Sequence, residues 1–279
     1  MPTTASASTA PFIKERVIDT RRIALNAREV GDGPVAIFLH GITAAGAVWD
    51  PVLQLVASKF RAIAVDQRGH GRSDKPDGEY SADAFAQDVV ALIRTLDCGP
   101  AVVVGHSLGA RNAVVAAVQH PDLVRAVVAV DFTPFIEDEV FEALEARVNG
   151  GDRPFASLEE IESYLQNRYV NLPPDAVRRR ALHAYHRVGE QFRPLASPLA
   201  MAATARGLRE ELASALESVK VPVQLVRGAE SKLVSPAAWD RTKKLRPDLP
   251  AIEVRGTDHY VPEEAPAAIA ATVLKAGAV

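Results

Sequence analysis

The sequence has one cysteine, Cys98, in 279 residues. A lone thiol excludes an internal disulfide framework, and Cys98 is expected to sit buried as a small apolar residue. An excess of charge of either sign is also lacking. The formal net charge is −3, so no basic field exists to attract nucleic acid. The opening "MPTTASASTA" lacks a basic segment and an apolar segment, and reads as a disordered start rather than a signal peptide. No uninterrupted apolar run reaches about 18 residues, so no transmembrane helix is expected. HExxH and CxxC patterns are absent, and neither a metal nor an organic cofactor is expected. Repeats are absent too. These absences leave a cytoplasmic protein as the expectation, with no membrane or nucleic-acid partner.

What is present is a normal globular balance, with 48% hydrophobic and 24% charged residues. The length suits one large domain, or one domain with an insertion. Residues 15–30 alternate loosely and end in "GDGP", as an antiparallel hairpin does. Short apolar runs follow at 35–40, 61–66, 101–105, 125–131, 221–228 and 251–256. Such continuous runs suit a parallel sheet buried on both faces. Helical spacing at 81–96, 107–119, 236–245 and 262–275 fills the gaps and predicts a three-layer α/β fold. From Thr133 to about Leu199 strand signals vanish. Two acidic amphipathic segments and the basic "RRRALHAYHRV" stand there instead. Residues 133–199 are therefore expected to form a helical cap over the carboxyl ends of the strands. The core is then 15–132 and 200–279.

"GHSLG" at 105–109 follows the strand "AVVVG" directly and opens a helical run. Strand, tight turn and helix are the context in which G-x-S-x-G exposes a nucleophile. The flanking glycines relieve the turn, and the helix N-terminus favours developing negative charge. Ser107 is the candidate nucleophile; the bland alternative is an N-cap serine.

On "FLHG" (38–41), "DQRGHGRSD" (66–74), "GHSLG" and "GTDHYVP" (256–262), the chain resembles the α/β-hydrolase family from about residue 15 onward. The resemblance implies a mostly parallel, roughly eight-stranded sheet flanked by helices, with the cap inserted after the sixth strand. It implies backbone N–H groups of Ile42 and Leu108 as the oxyanion hole, and His259 as general base. His40, His70, His106, His120, His183 and His186 fit loop, surface or cap positions. An Asp nucleophile, used by epoxide hydrolases and haloalkane dehalogenases of this fold, is excluded by Ser107.

The acid is less plain. The family's usual turn after the strand at 221–228 reads "ESKLVSP" here, with Ser231 at the Asp position and Glu230 beside it. Asp258 is adjacent to His259, a spacing that rarely lets two side chains meet. Asp131 ends the run "VVAV" one strand, roughly 5 Å, from the serine strand. Asp131 is the favoured acid, with Glu230 as the alternative and a helix-capping Asp131 as the structural one.

In the cap, the stripe Leu158, Ile161, Leu165 continues to Arg168, and Val140, Leu144 to Arg147. Buried guanidiniums need anions, from the cap or from a substrate carboxylate; either could equally be a cation at a helix C-terminus. Arg178, Arg179 and Arg180 read as a solvated face from which one could turn inward. "GITAAGAVW", "ESKLVS", Arg147, Arg168-Tyr169 and Tyr260 further resemble those members that cleave an enamide of a small dicarboxylate in vitamin B6 breakdown. That resemblance implies Arg147, Arg168, Tyr169 and Tyr260 as substrate-binding residues for an anionic molecule. A carboxylesterase, a C–C bond hydrolase of diketo acids and a non-catalytic receptor would share many of these features.

Overall fold

Val35–Leu39 (β3), Ala101–His106 (β5) and Val124–Val130 (β6) lie side by side in parallel, every residue buried except Arg125. That explains their unbroken apolar character. The computed structural model describes residues 11–278; the reading of the first ten residues lies outside them. Lys14–Asp19 (β1), Ala24–Val30 (β2), Arg61–Val65 (β4), Val223–Gly228 (β9) and Ala251–Val254 (β10) complete a sheet of order β1-β2-β4-β3-β5-β6-β9-β10. Only the β1–β2 and β2–β4 pairings are antiparallel.

Asp50–Val56 (α1), Val261–Glu264 (α10) and Pro266–Ala276 (α11) cover one face through Val52, Leu53, Ile269 and Val273. Ala82–Leu96 (α2), Leu108–Gln119 (α3) and Pro236–Leu245 (α9) cover the other, with Phe132 and Trp239 in the same apolar cluster. The expected single helix at 262–275 is two, because Pro266 cannot continue the ladder begun in α10.

Between β6 and β9 lie Asp138–Asn149 (α4), Leu158–Arg168 (α5), Pro174–Ala184 (α6), Tyr185–Val188 (β7), Gln191–Pro194 (β8), Pro198–Gly207 (α7) and Ala213–Ser218 (α8). The β7–β8 hairpin corrects the expectation of a strand-free segment. Its strands are four residues each and mostly exposed, so they carry no buried alternation. Phe155, Ile161, Leu165, Tyr169, Leu172 and Val177 give this insert its own apolar cluster, against which Tyr260 packs. Met201 and Ala205 of α7 join Leu144 and Val148 of α4 on Tyr80, Phe85 and Leu108. The boundary expected at residue 199 thus passes through the start of α7. Cys98 is half-buried against the core rather than enclosed.

Candidate active site

β5 ends one residue before Ser107, whose backbone sits at φ +52° and ψ −114°. A non-glycine residue in that region is strained, and holds there only because its surroundings fix it. Those surroundings are tight. A Cβ at Gly105 would lie 2.2 Å from the Gly109 carbonyl oxygen, and one at Gly109 would lie 2.1 Å from that of Leu39. Both motif glycines are therefore demanded by close packing of turn, helix and strand. The Ser107 amide donates to Val130 O at 2.9 Å, and the Ser107 carbonyl accepts from the amides of Ala110 and Arg111 at the start of α3.

β6 ends in the same way. His106 pairs with Val130, so Ser107 and Asp131 are neighbours just beyond the paired strands. Asp131 also has positive φ, +48°, and its amide donates to Val226 O at 2.7 Å. Three donors converge on its buried carboxylate. The Gly228 amide reaches Oδ1 at 2.8 Å. The Ser231 hydroxyl reaches Oδ2 at 2.6 Å, and His259 Nδ1 reaches the same oxygen at 2.6 Å. Burial pushes the Asp131 carboxyl up, while the Ser231 hydroxyl and the Gly228 amide favour its ionised form. The Glu230 side chain is exposed. Asp258 Oδ1 accepts the His259 amide at 2.8 Å rather than meeting the imidazole.

His259 is held from several sides. His106 Nε2 donates to the His259 carbonyl at 2.8 Å, and the two rings lie 4.6 Å apart. Glu264 Oε2 accepts the Asp258 amide at 2.7 Å, bracing the same loop. Burial, then the charges of Arg147 and Arg180, push the His259 imidazole down to about 3. It is a neutral ring at pH 7, able to accept a proton. Ser107, Leu108, Asp131 and His259 line one cavity of about 270 Å³. Among the described residues the Ile42 and Leu108 amides find no protein acceptor. Leu108 opens α3, where the first amides have no intrahelical partner and the dipole is positive. His40 is structural: its Nε2 accepts the Gln67 amide at 3.0 Å.

A second cavity, of about 440 Å³, is lined by Arg147, Arg168, Tyr169, Tyr260 and, again, His259. Arg147 Nη1 donates to the Tyr260 hydroxyl at 3.2 Å. Arg168 donates to the Tyr164 hydroxyl, and to Arg147 O at 3.5 Å. The Nε of each arginine is buried without a partner, and among the described residues neither guanidinium meets a carboxylate. Burial pushes the Tyr169 phenol up, but the guanidiniums of Arg168, Arg180 and Arg147 outweigh it and bring the phenol below its ordinary range. Arg147, Arg168 and Lys232 bring positive charge to this pocket, whose lining also includes Glu139, Asp258 and Glu264.

Arg180 is the member of the 178–180 run that turns inward, lining an adjoining space with Arg147, Arg168 and Tyr169. It is 6% exposed. Its Nε bridges both Glu263 oxygens, at 3.0 and 3.1 Å. Its guanidinium lies 4.7 Å from the Tyr169 ring centre and 4.9 Å from that of Tyr260. The arginine run at 178–180 hid a usable signal. Ala176, Val177, Arg180 and Ala181 recur at helical spacing and form the buried face of α6. His106 as a prop for the His259 loop gave no such signal.

A strained serine turn between strand and helix on a mostly parallel sheet, with an aspartate and a histidine meeting beside it, defines a class. The chain belongs to the alpha/beta hydrolase family, whose model matches residues 36–272, and it is a hydrolase. It is 55% identical over 255 residues to a 2-(acetamidomethylene)succinate hydrolase of Mesorhizobium japonicum, covering 91% of each chain. A crystal structure of E-2-(acetamidomethylene)succinate hydrolase superposes with a TM-score of 0.94 at 51% identity, covering 96% of this chain and 100% of that one. The thioesterase domain from the curacin biosynthetic pathway, at 23% identity and a TM-score of 0.82 over 94% of this chain and 99% of its own, shares the fold. Among the described residues no helix is long and apolar enough to cross a membrane.

Proposed function

We propose that the protein hydrolyses the enamide bond of (E)-2-(acetamidomethylene)succinate through a Ser107 acyl-enzyme, with residues 133–199 acting as its cap. The observation that carries this reading is the pair Arg147 and Arg168. Two half-buried guanidiniums whose Nε atoms are buried without a partner, and which meet no carboxylate among the described residues, are costly unless an anion completes them. A dicarboxylate does so, and planar forks suit carboxylates. Tyr169 and Tyr260 would shape the same pocket.

Ser107 attacks the amide carbonyl while His259 Nε2 takes its proton. Asp131 holds the opposite nitrogen, fixing the tautomer and stabilising the imidazolium. The amides of Ile42 and Leu108 hold the tetrahedral oxyanion. Collapse expels the nitrogen, which takes the proton back from His259. Water, deprotonated by His259, then releases acetate from Ser107. The freed enamine tautomerises to an imine, which a second water hydrolyses to ammonia and an aldehyde. The β-carboxyl of that aldehyde is lost as carbon dioxide, leaving succinic semialdehyde.

The test has two arms. Acetate release from the enamide should vanish in Ser107→Ala. Arg147→Met and Arg168→Met should each raise KM for the dicarboxylate by about 30- to 100-fold, the size of one charge-assisted contact. A neutral nitrophenyl acetate should keep its kcat/KM within about threefold. Equal losses on both substrates would make these arginines structural and remove the basis for a dianionic substrate.

A further inference from the structure

The two cavities meet at His259 but differ in chemistry. The larger holds Arg147 and Arg168 and does not include Ser107. The smaller holds Ser107 and Leu108, and its walls include Phe132, Ile136, Phe141, Leu144, Leu212 and Val234. Its one deeply buried cation, Arg111, donates to Glu210 Oε2 and Gly207 O, each at 2.8 Å, so that charge is already engaged.

Resting on the acyl-enzyme reading above, the two halves of a substrate sort themselves between these spaces. The leaving nitrogen must face His259 to be protonated, and it carries the carboxylates, so that half lies with Arg147 and Arg168. The acyl substituent remains bonded to Ser107 and extends along the apolar side chains of the smaller cavity. An acetyl group places a single methyl there. The cavity measures about 270 Å³, which is roughly nine water volumes at 30 Å³ each. Nor is it closed like a pouch fitted to a methyl. Its lining also includes Glu210, Glu211, Asp138 and Arg209, the last two with side chains 89% and 37% exposed.

We infer that this space is an acyl chamber that accepts straight saturated chains of about four to eight carbons, so that the protein is also a medium-chain acyl hydrolase. The step is the same. Ser107 Oγ bonds to the acyl carbon, the ester oxygen leaves with a proton from His259, and water frees the fatty acid and restores Ser107. Each methylene drawn into an apolar wall favours the acylation transition state by about threefold to fourfold until the chamber is full.

The experiment is a nitrophenyl ester series, acetyl through decanoyl, followed by nitrophenol release from the intact protein. kcat/KM is expected to rise at least tenfold from acetyl to hexanoyl and to fall again by decanoyl. Ile136→Trp, which narrows the chamber, should lower the hexanoyl-to-acetyl ratio at least tenfold. Burst amplitude counts the folded active sites, and Phe141→Trp replaces that variant if it does not fold. Acetyl turnover with a tenfold loss already at butyryl would overturn the chamber and leave the serine hydrolase reading intact. A hexanoyl-to-acetyl ratio unmoved by both tryptophans would overturn it as well. No burst from any ester, acetyl included, would instead sink the acyl-enzyme reading and this inference with it.

Discussion

Asp131→Asn is the substitution that bears hardest on the proposed mechanism. Asparagine is among the residues best tolerated at positive φ, so the backbone at +48° should persist. Its carbonyl oxygen can still accept the Gly228 amide, but its NH₂ group, a donor only, can accept from neither the Ser231 hydroxyl nor His259 Nδ1. Losing these charge-assisted bonds should cost about 1–3 kcal/mol of stability. The catalytic loss should be larger, because the amide turns the imidazole toward the wrong tautomer and no longer stabilises its charged form. A loss of about 10³- to 10⁴-fold in kcat is expected, or roughly 4–5.5 kcal/mol of barrier. The 2.6 Å contact between Ser231 and Asp131 gives a second, sharper arm. Ser231 and His259 Nδ1 contact the same Asp131 oxygen, and a carboxylate at 231 extends further than the hydroxyl, so adding Ser231→Asp to Asp131→Asn should restore kcat at least tenfold. Single-turnover nitrophenol release and a thermal melt on the same samples separate catalysis from folding. Near-normal turnover in Asp131→Asn, or an equal loss in Glu230→Gln, would refute the assignment of the acid.

Two further outcomes concern buried charge. Arg180→Met strands the Glu263 carboxylate, whose side chain is 2% exposed. That should cost about 3–5 kcal/mol and lower Tm by about 6–20 °C, while Arg180→Met with Glu263→Leu should regain most of it; a shift under about 1 °C in the single variant would mean the pair does not tie the insert to α10. The imidazoles of His40, His70, His106 and His259 are all pushed down by burial, to about 4, 3, 3 and 3. Between those values and the ordinary 6.5 the unfolded chain binds more protons than the native one, so stability is full above about pH 6.5 and falls as the pH drops toward 4. Asp131 and Glu264, pushed up by burial, act in the opposite sense but are two groups against four. Denaturant melts from pH 7 to pH 5 should show this decline, and a flat profile would refute neutral burial of the four rings. The acid limb of kcat/KM should likewise lie well below pH 6.5, because His259 stays neutral there.

How far such a site can be read from residues alone depends on whether a signal is local. The sheet was legible because β3, β5 and β6 are buried on both faces and must therefore be apolar without interruption. The turn at Ser107 was legible because two glycines flank it for steric reasons that no other residue satisfies. Asp131 could be singled out because an ionisable group at the end of "VVAV" has no solvent to face, so something must receive it. Its three donors come from Gly228, Ser231 and His259, nearly 100 residues or more away in sequence. No pattern encodes that convergence; only the neighbouring of β5, β6 and β9 does. The β7–β8 hairpin was missed because eight mostly exposed residues have no burial to enforce an alternation. Arg180 was missed for the reverse reason. Its helical spacing with Ala176, Val177 and Ala181 was present, but the adjacent Arg178 and Arg179 made the run look like a wet surface. A charge run therefore has to be resolved residue by residue against the helical period. The member that continues the apolar stripe is the one that will be buried, and its counter-charge, here Glu263 four residues beyond His259, marks where the insert meets the His259 loop.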